Sequence, residues 1–150
     1  MDKTEKQFVL VVDDNEPTRT LLTALLQKDF QVEIASDGLQ AIEKLRTSTY
    51  AAVILDLLMP QMDGFGVLDH LKANAPEMLR RVLVVTAALT RNELNRVHAY
   101  DVCAVISKPF EVEMLLNAVK QCADEWPSRG SFMTSGVILL LADLLRQRLM

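Results

Sequence analysis

The sequence predicts an α/β protein built on a five-stranded parallel sheet, strand order 2-1-3-4-5, with five helices flanking it on both faces. Two observations carry this. Short apolar runs alternate five times with longer amphipathic segments, and parallel strands need crossovers of that kind, which then cover the sheet. Acids directly follow two of the runs: Asp13 and Asp14 come after Phe8-Val9-Leu10-Val11-Val12, and Asp56 after Ala52-Val53-Ile54-Leu55. Right-handed crossovers in this order place strands 1 and 3 side by side where the winding reverses, so the three carboxylates meet at one rim of the sheet.

Each element has its own signal. After strand 1, Glu16-Pro17-Thr18 opens a helix, since proline suits an early helical position, and Leu21, Leu22, Leu25 and Leu26 recur on one face to about Lys28. Val32 to Ala35 reads as strand 2. Ser36-Asp37-Gly38 is a turn that caps helix 2, whose inner stripe is Leu39, Ile42 and Leu45. Strand 3 ends at Asp56, and a loop through Met59-Pro60-Gln61-Met62-Asp63-Gly64 leads to helix 3, with Phe65, Leu68 and Leu71 inward and a stop before Pro76. Arg81 to Thr86 is strand 4 and Thr90 to Tyr100 helix 4. Val102 to Ser107 is strand 5, and helix 5 runs from Glu111 to about Glu125 with Val112, Leu115, Leu116, Val119 and Cys122 on its stripe. The whole is a flavodoxin-like, doubly wound sheet.

Composition shifts at Trp126-Pro127-Ser128-Arg129-Gly130-Ser131, which reads as a linker. The chain is therefore expected to divide into a domain over 1–125, a linker over 126–133 and an extension over 134–150. In the extension Val137, Leu140, Leu141, Leu144 and Leu145 fall at helical spacing and predict a sixth, amphipathic helix. It is far shorter than the ~20 apolar residues of a membrane span, and Asp143 interrupts it. Such a stripe is expected to pair with a second copy or dock on a partner rather than merely cap the core.

Residues 1–126 hold 13 Lys and Arg against 19 Asp and Glu, and residues 127–150 hold 3 against 1. An acidic body with no clustered basic face gives no footprint for direct nucleic-acid binding. The charged start, Met1 to Gln7, lacks the apolar stretch of a secretory signal and points to the cytoplasm. Cys103 and Cys122, widely spaced and with no CxxC, are expected to be small core or helix residues in a reducing compartment rather than a disulfide or a metal site. His70 and His98 lie away from every strand end and read as surface helix residues.

Three clustered carboxylates repel one another unless a cation lies among them, and oxygen donors favour Mg²⁺ over zinc. Thr86 ends strand 4 and Lys108 follows strand 5. A hydroxyl, an ammonium and a metal converging on one carboxylate suit an oxyanion-rich group such as phosphoryl, with Asp56 as the nucleophile.

These residues resemble a known family. Val-Val-Asp-Asp at 11–14, Leu-Asp-Leu-Leu-Met-Pro-Gln-Met-Asp-Gly at 55–64, Val-Thr-Ala at 85–87 and Lys-Pro-Phe at 108–110 are similar to the receiver domain of two-component response regulators, over residues 7 to about 125. The resemblance implies that Asp56 accepts phosphoryl from a histidine kinase or histidine phosphotransfer protein. It implies that Asp14 and Asp56 bind Mg²⁺ directly, that the Leu58 backbone carbonyl is a further ligand, and that Asp13 acts through water. It also implies that Thr86 and Lys108 contact the phosphoryl oxygens and that the Lys108-Pro109 bond is cis.

Four departures from the resemblance bear on mechanism. Val105 stands where many receivers carry a switching aromatic residue. Asp101 replaces a usual glycine before strand 5 and is expected to take the positive φ itself. Leu58 and Ala88 are apolar and cannot orient a hydrolytic water, so slow loss of the phosphoryl group is expected. The leading reading is a phosphorylation-controlled switch whose output is protein interaction, not an enzyme. The alternatives are a pseudo-receiver that binds partners without phosphorylation, and an Asp-nucleophile phosphohydrolase; Leu58 falls where the second acid of the latter belongs.

Overall fold

The computed structural model describes residues 6–59, 61–87 and 90–124. The expected linker and amphipathic extension, together with Trp126 and Ala88, lie outside the described residues.

The sheet has the expected order, β2-β1-β3-β4-β5, with all neighbours parallel. The strands are β1 (Phe8–Val12), β2 (Gln31–Ala35), β3 (Ala52–Leu55), β4 (Val82–Ala87) and β5 (Ala104–Lys108). The helices between and after them are α1 (Glu16–Leu26), α2 (Gly38–Thr47), α3 (Gly64–Asn74), α4 (Arg91–His98) and α5 (Val112–Asp124). Side chains alternate across each strand, and in β1, β3, β4 and β5 both sets are largely buried, whereas edge strand β2 fully buries only Ala35 and leaves Ile34 exposed. Val9, Val11, Ile54, Leu83 and Val85 pack against α1 and α5, while Leu10, Val12, Val53, Leu55, Val84 and Val105 pack against α2, α3 and α4. Burial on both sides is why the strands read as unbroken apolar runs.

Local chemistry sets the helix starts. Asn15, Asp37, Asp63 and Thr90 each cap a helix by accepting a hydrogen bond from a backbone N–H in its first turn, and Thr90 with Glu93 forms a reciprocal capping box.

Several expectations are corrected. Leu21 is 47% and Leu39 54% exposed, so the inner faces of α1 and α2 are narrower than the leucine spacing suggested. Leu22 and Leu26 carry α1, and Ala41, with Ile42 and Leu45 beside it, carries α2. Val112 is exposed at the first turn of α5. A 3-10 helix, Pro76–Arg81, fills the crossover after α3, because Pro76 stops α3 yet suits the first turn of a new helix. Asp101 does not adopt a positive φ; among the described non-glycine residues only Gln61 does. Asp101 instead pairs with Arg80 Nε at 2.8 Å on an exposed surface. Cys103 and Cys122 form a disulfide, with 5.9 Å between Cα atoms. The start of β5 lies under the last turn of α5, so packing rather than sequence spacing brings the two sulfurs together.

Gly64 is where the fold leaves no tolerance beside the acids. A Cβ there would lie 2.4 Å from the Asp56 carbonyl oxygen and 2.7 Å from Leu57 Cα, both backbone atoms. At Gly66 a Cβ would meet only the flexible Met62 side chain. Gly64→Ala is therefore expected to destabilise the protein by about 2–3 kcal/mol. Gly66→Ala should lie near zero, because a helical alanine regains about 0.5–1 kcal/mol. Urea unfolding midpoints of the two variants check this contrast.

Candidate functional site

The carboxyl ends of β1, β3, β4 and β5 converge on one cleft. Val12 pairs with Leu55 across β1 and β3, and the Asp56 N–H donates to Val12 O at 3.0 Å, so Asp13 and Asp56 emerge at the same level. Thr86 pairs with Ser107 and Ala87 with Lys108, which brings the ends of β4 and β5 to the same rim. Asp13, Asp14 and Asp56 each present a carboxylate oxygen within 4.8 Å of the others. The structure thus brings Asp13, Asp14, Asp56 and Lys108 together and places Thr86 at the adjoining strand end.

Burial singles these residues out. Among the described residues the buried polar or charged side chains are Asp13 (2% exposed), Asp56 (5%) and Thr86 (1%), all at this one rim. A buried acid is costly unless it is paired. Lys108 Nζ supplies the pairing, donating to Asp13 Oδ2 at 2.7 Å and to Asp56 Oδ2 at 3.4 Å. The Lys108-Pro109 bond is cis, as expected. Asp56 Oδ1 accepts from the Leu58 N–H at 3.2 Å.

The electrostatics follow from this crowding. Burial pushes the Asp56 pKa up; Lys108 opposes the rise, Asp13 adds to it, and the Leu58 N–H and the Thr86 hydroxyl favour the ionised form. Burial pulls Lys108 down, but its hydrogen bond to Asp13 and the charges of Asp56 and Asp13 outweigh that, and its net shift is upward. The Thr86 hydroxyl oxygen is buried without a hydrogen-bond partner of normal geometry. A buried hydroxyl left in this way costs free energy unless a ligand completes it. The donor set of the three acids is oxygen only and half-open, since Asp14 is exposed, which fits a hard divalent cation that keeps some water.

Two supporting residues escaped the sequence reading. Arg19 donates from Nη1 to the Asp13 carbonyl at 2.8 Å, and the Asn15 N–H donates to Asp13 Oδ1 at 2.9 Å; together they fix the end of β1. Asn before Glu-Pro is a helix-start signal that could have revealed Asn15, whereas nothing in local spacing marks Arg19. Val105 is fully buried, in the same apolar layer as Leu94 and Val97 of α4. Met59 is buried in the same layer, in keeping with a packing role. The other aromatic contacts near α4 involve Phe65 of α3, over whose ring the Arg96 guanidinium lies at 3.8 Å, and Tyr100, whose hydroxyl donates to Asp69.

The fold and this rim define a doubly wound α/β domain with an acidic cleft at the switch point, capped by a lysine. Residues 9–120 match the family model described as the response regulator receiver domain. The chain is 34% identical over 122 residues to the Rhizobium etli protein named "Probable chemotaxis protein CheY", covering 80% of this chain and 95% of that one. It is 31% identical over 115 residues to the transcriptional regulatory protein SrrA of Staphylococcus aureus, covering 75% of this chain and 46% of that regulator's length. Among solved structures, a CheY-like receiver domain protein from Methanospirillum hungatei superposes with a TM-score of 0.77 at 23% identity, covering 84% of this chain and all of the other. The chain belongs to the response regulator receiver domain family of two-component systems. Domains of this family are signalling modules rather than enzymes and work with histidine kinases and downstream targets. No helix among the described residues is long and apolar enough to cross a membrane.

Proposed function

We propose that this chain is a cytoplasmic, phosphorylation-controlled switch in which Asp56 takes a phosphoryl group from a histidine kinase or histidine phosphotransfer protein. The observation that carries the reading is the convergence of the buried polar side chains found among the described residues, Asp13, Asp56 and Thr86, with Lys108 at one cleft. An Asp56 carboxylate oxygen attacks the phosphorus in line; the new P–O bond forms as the P–N bond to the donor imidazole breaks, and the electron pair leaves with that nitrogen. Lys108 neutralises charge on the transferring oxygens from one side, and the Thr86 hydroxyl, which has no hydrogen-bond partner of normal geometry, donates to one of them. Asp14 and Asp56 would hold Mg²⁺ directly, with the Leu58 carbonyl as a further ligand and Asp13 through water. When bound, that ion would neutralise charge on the phosphoryl oxygens and on the acids themselves.

Output is by protein interaction. Residues 134–150, with their helical apolar spacing, are the candidate element for it, through a homodimer or a downstream protein. The test is incubation of the full chain with a small-molecule phosphodonor, followed by intact mass and size on a column. Uptake of one phosphoryl group that requires Mg²⁺ supports the reading. No uptake at any Mg²⁺ concentration would leave an interaction module that works without phosphorylation.

Leu58 is 51% exposed beside the acceptor and offers no polar atom in its side chain. The phosphorylated state should therefore decay slowly. Replacing Leu58 with Ala, which opens access for water, or Ala88 with Glu, which could orient it, is expected to speed decay several-fold. Unchanged phosphate-release rates in both variants would remove this idea.

A further inference from the structure

We propose that Cys103 and Cys122 form a reversible redox clamp that ties the last turn of α5 to the start of β5. The two residues are the only cysteines in the chain, 19 positions apart, and their Cα atoms lie 5.9 Å from each other. They belong to the apolar layer between the sheet and α5, where Cys122 is buried beside Val119 and Ala123, and Cys103 packs at its edge. Reduced cysteine behaves as a small hydrophobe, so this layer accommodates two thiols as well as a disulfide. The fold does not hang on oxidation, because each face of the sheet has an extensive apolar core of its own.

Exposure gives the exchange a direction. Cys103 is partly exposed and Cys122 is buried, so a small thiol or disulfide reaches Cys103 first. Cys103, having lost its proton to solvent, attacks a low-molecular-weight disulfide such as glutathione disulfide; a mixed disulfide forms and one thiolate leaves and is protonated. Cys122, likewise deprotonated, then attacks the Cys103 sulfur and expels the second thiol. The protein loses two electrons and the glutathione disulfide gains them.

Oxidation acts on α5. Lys120 of the same helix pairs with Asp29 at 3.6 Å, with both side chains about half exposed, and such a pair holds weakly. The clamp therefore fixes the point from which the chain continues into residues 125–150. It leaves the acids untouched at the far end of β5.

The full chain is equilibrated in glutathione buffers of graded ratio, quenched with an alkylating reagent and weighed intact. The expected result is an interconversion between doubly alkylated and unalkylated protein, with the same curve reached from either side and the protein folded at both ends. Cys122→Ser should stop at a single glutathione adduct on Cys103, and Cys103→Ser should take up none while folded. Amide exchange in α5 should slow about tenfold on oxidation, with α2 unchanged. Protein that remains doubly alkylated in the most oxidising buffer overturns the proposal. So does a disulfide that opens only on denaturation, or an α5 whose exchange ignores the redox state.

Discussion

Asp56→Asn is expected to abolish phosphoryl uptake completely and, in the absence of divalent cations, to make the protein more stable at neutral pH. The first effect follows from chemistry, because an amide has no anionic oxygen with which to attack phosphorus. The second follows from burial. Asp56 has its pKa raised in the folded state, chiefly by desolvation. For an acid shifted upward, the folded state is most favoured where the group is protonated, and stability is lost as pH rises from the unfolded value toward the folded one. The variant removes that loss. Its advantage should vanish below about pH 4, where the carboxyl is protonated in both states of the wild type, and grow through the range above. Magnesium should narrow the gap by binding the folded wild type, by about 1.4 kcal/mol once the ion exceeds its dissociation constant tenfold. Denaturant midpoints across pH, with and without Mg²⁺, check all three parts.

Lys108→Ala should slow phosphorylation by about 10²-fold, the scale seen when one preorganised donor to a developing charge is removed. Its cost to the fold arises at the same atoms. Lys108 Nζ lies 2.7 Å from Asp13 Oδ2 and 3.4 Å from Asp56 Oδ2, and its side chain is only 21% exposed. Removing one partner of a buried pair leaves the other charge uncompensated, so a loss of roughly 2–4 kcal/mol is expected at neutral pH. Lys108 has a raised pKa in the fold, which means its contribution is fully present below the unfolded lysine value and disappears as pH rises through the folded one. Wild type and variant should therefore converge in stability at strongly alkaline pH. Added Mg²⁺ should restore part of the lost stability by replacing the missing positive charge, while the slow phosphorylation persists. Rates with a small phosphodonor, beside unfolding curves with and without the ion, separate the two effects.

The sheet order and the cleft were both legible in the sequence, and for one reason. Val12 before Asp13 and Leu55 before Asp56 mark strand ends by an abrupt change from apolar to acidic, and the alternation of elements then dictates which ends adjoin. Thr86 and Lys108 were legible in the same way. The helix faces were read less well. Leu21 and Leu39 have the spacing of buried residues, yet each lies at the margin of its stripe where the sheet no longer covers it, and periodicity alone cannot mark that margin. The Cys103–Cys122 contact was invisible because it depends on how far α5 runs back over β5. Asp101 shows that a substitution need not inherit the backbone of the residue it replaces: the chain turns without a positive φ there, and the side chain reaches Arg80. Arg19 was missed because its role is to hold a backbone carbonyl, and no side-chain motif announces such a role.

The most direct measurement is the position of the phosphoryl group. The full chain is phosphorylated in the presence of Mg²⁺, the acyl phosphate is trapped chemically, and the modified peptide is sequenced by mass spectrometry. Modification confined to Asp56 is the predicted result. A phosphoryl group found on Asp13, Asp14 or a histidine, or uptake that continues in Asp56→Asn, would contradict the account.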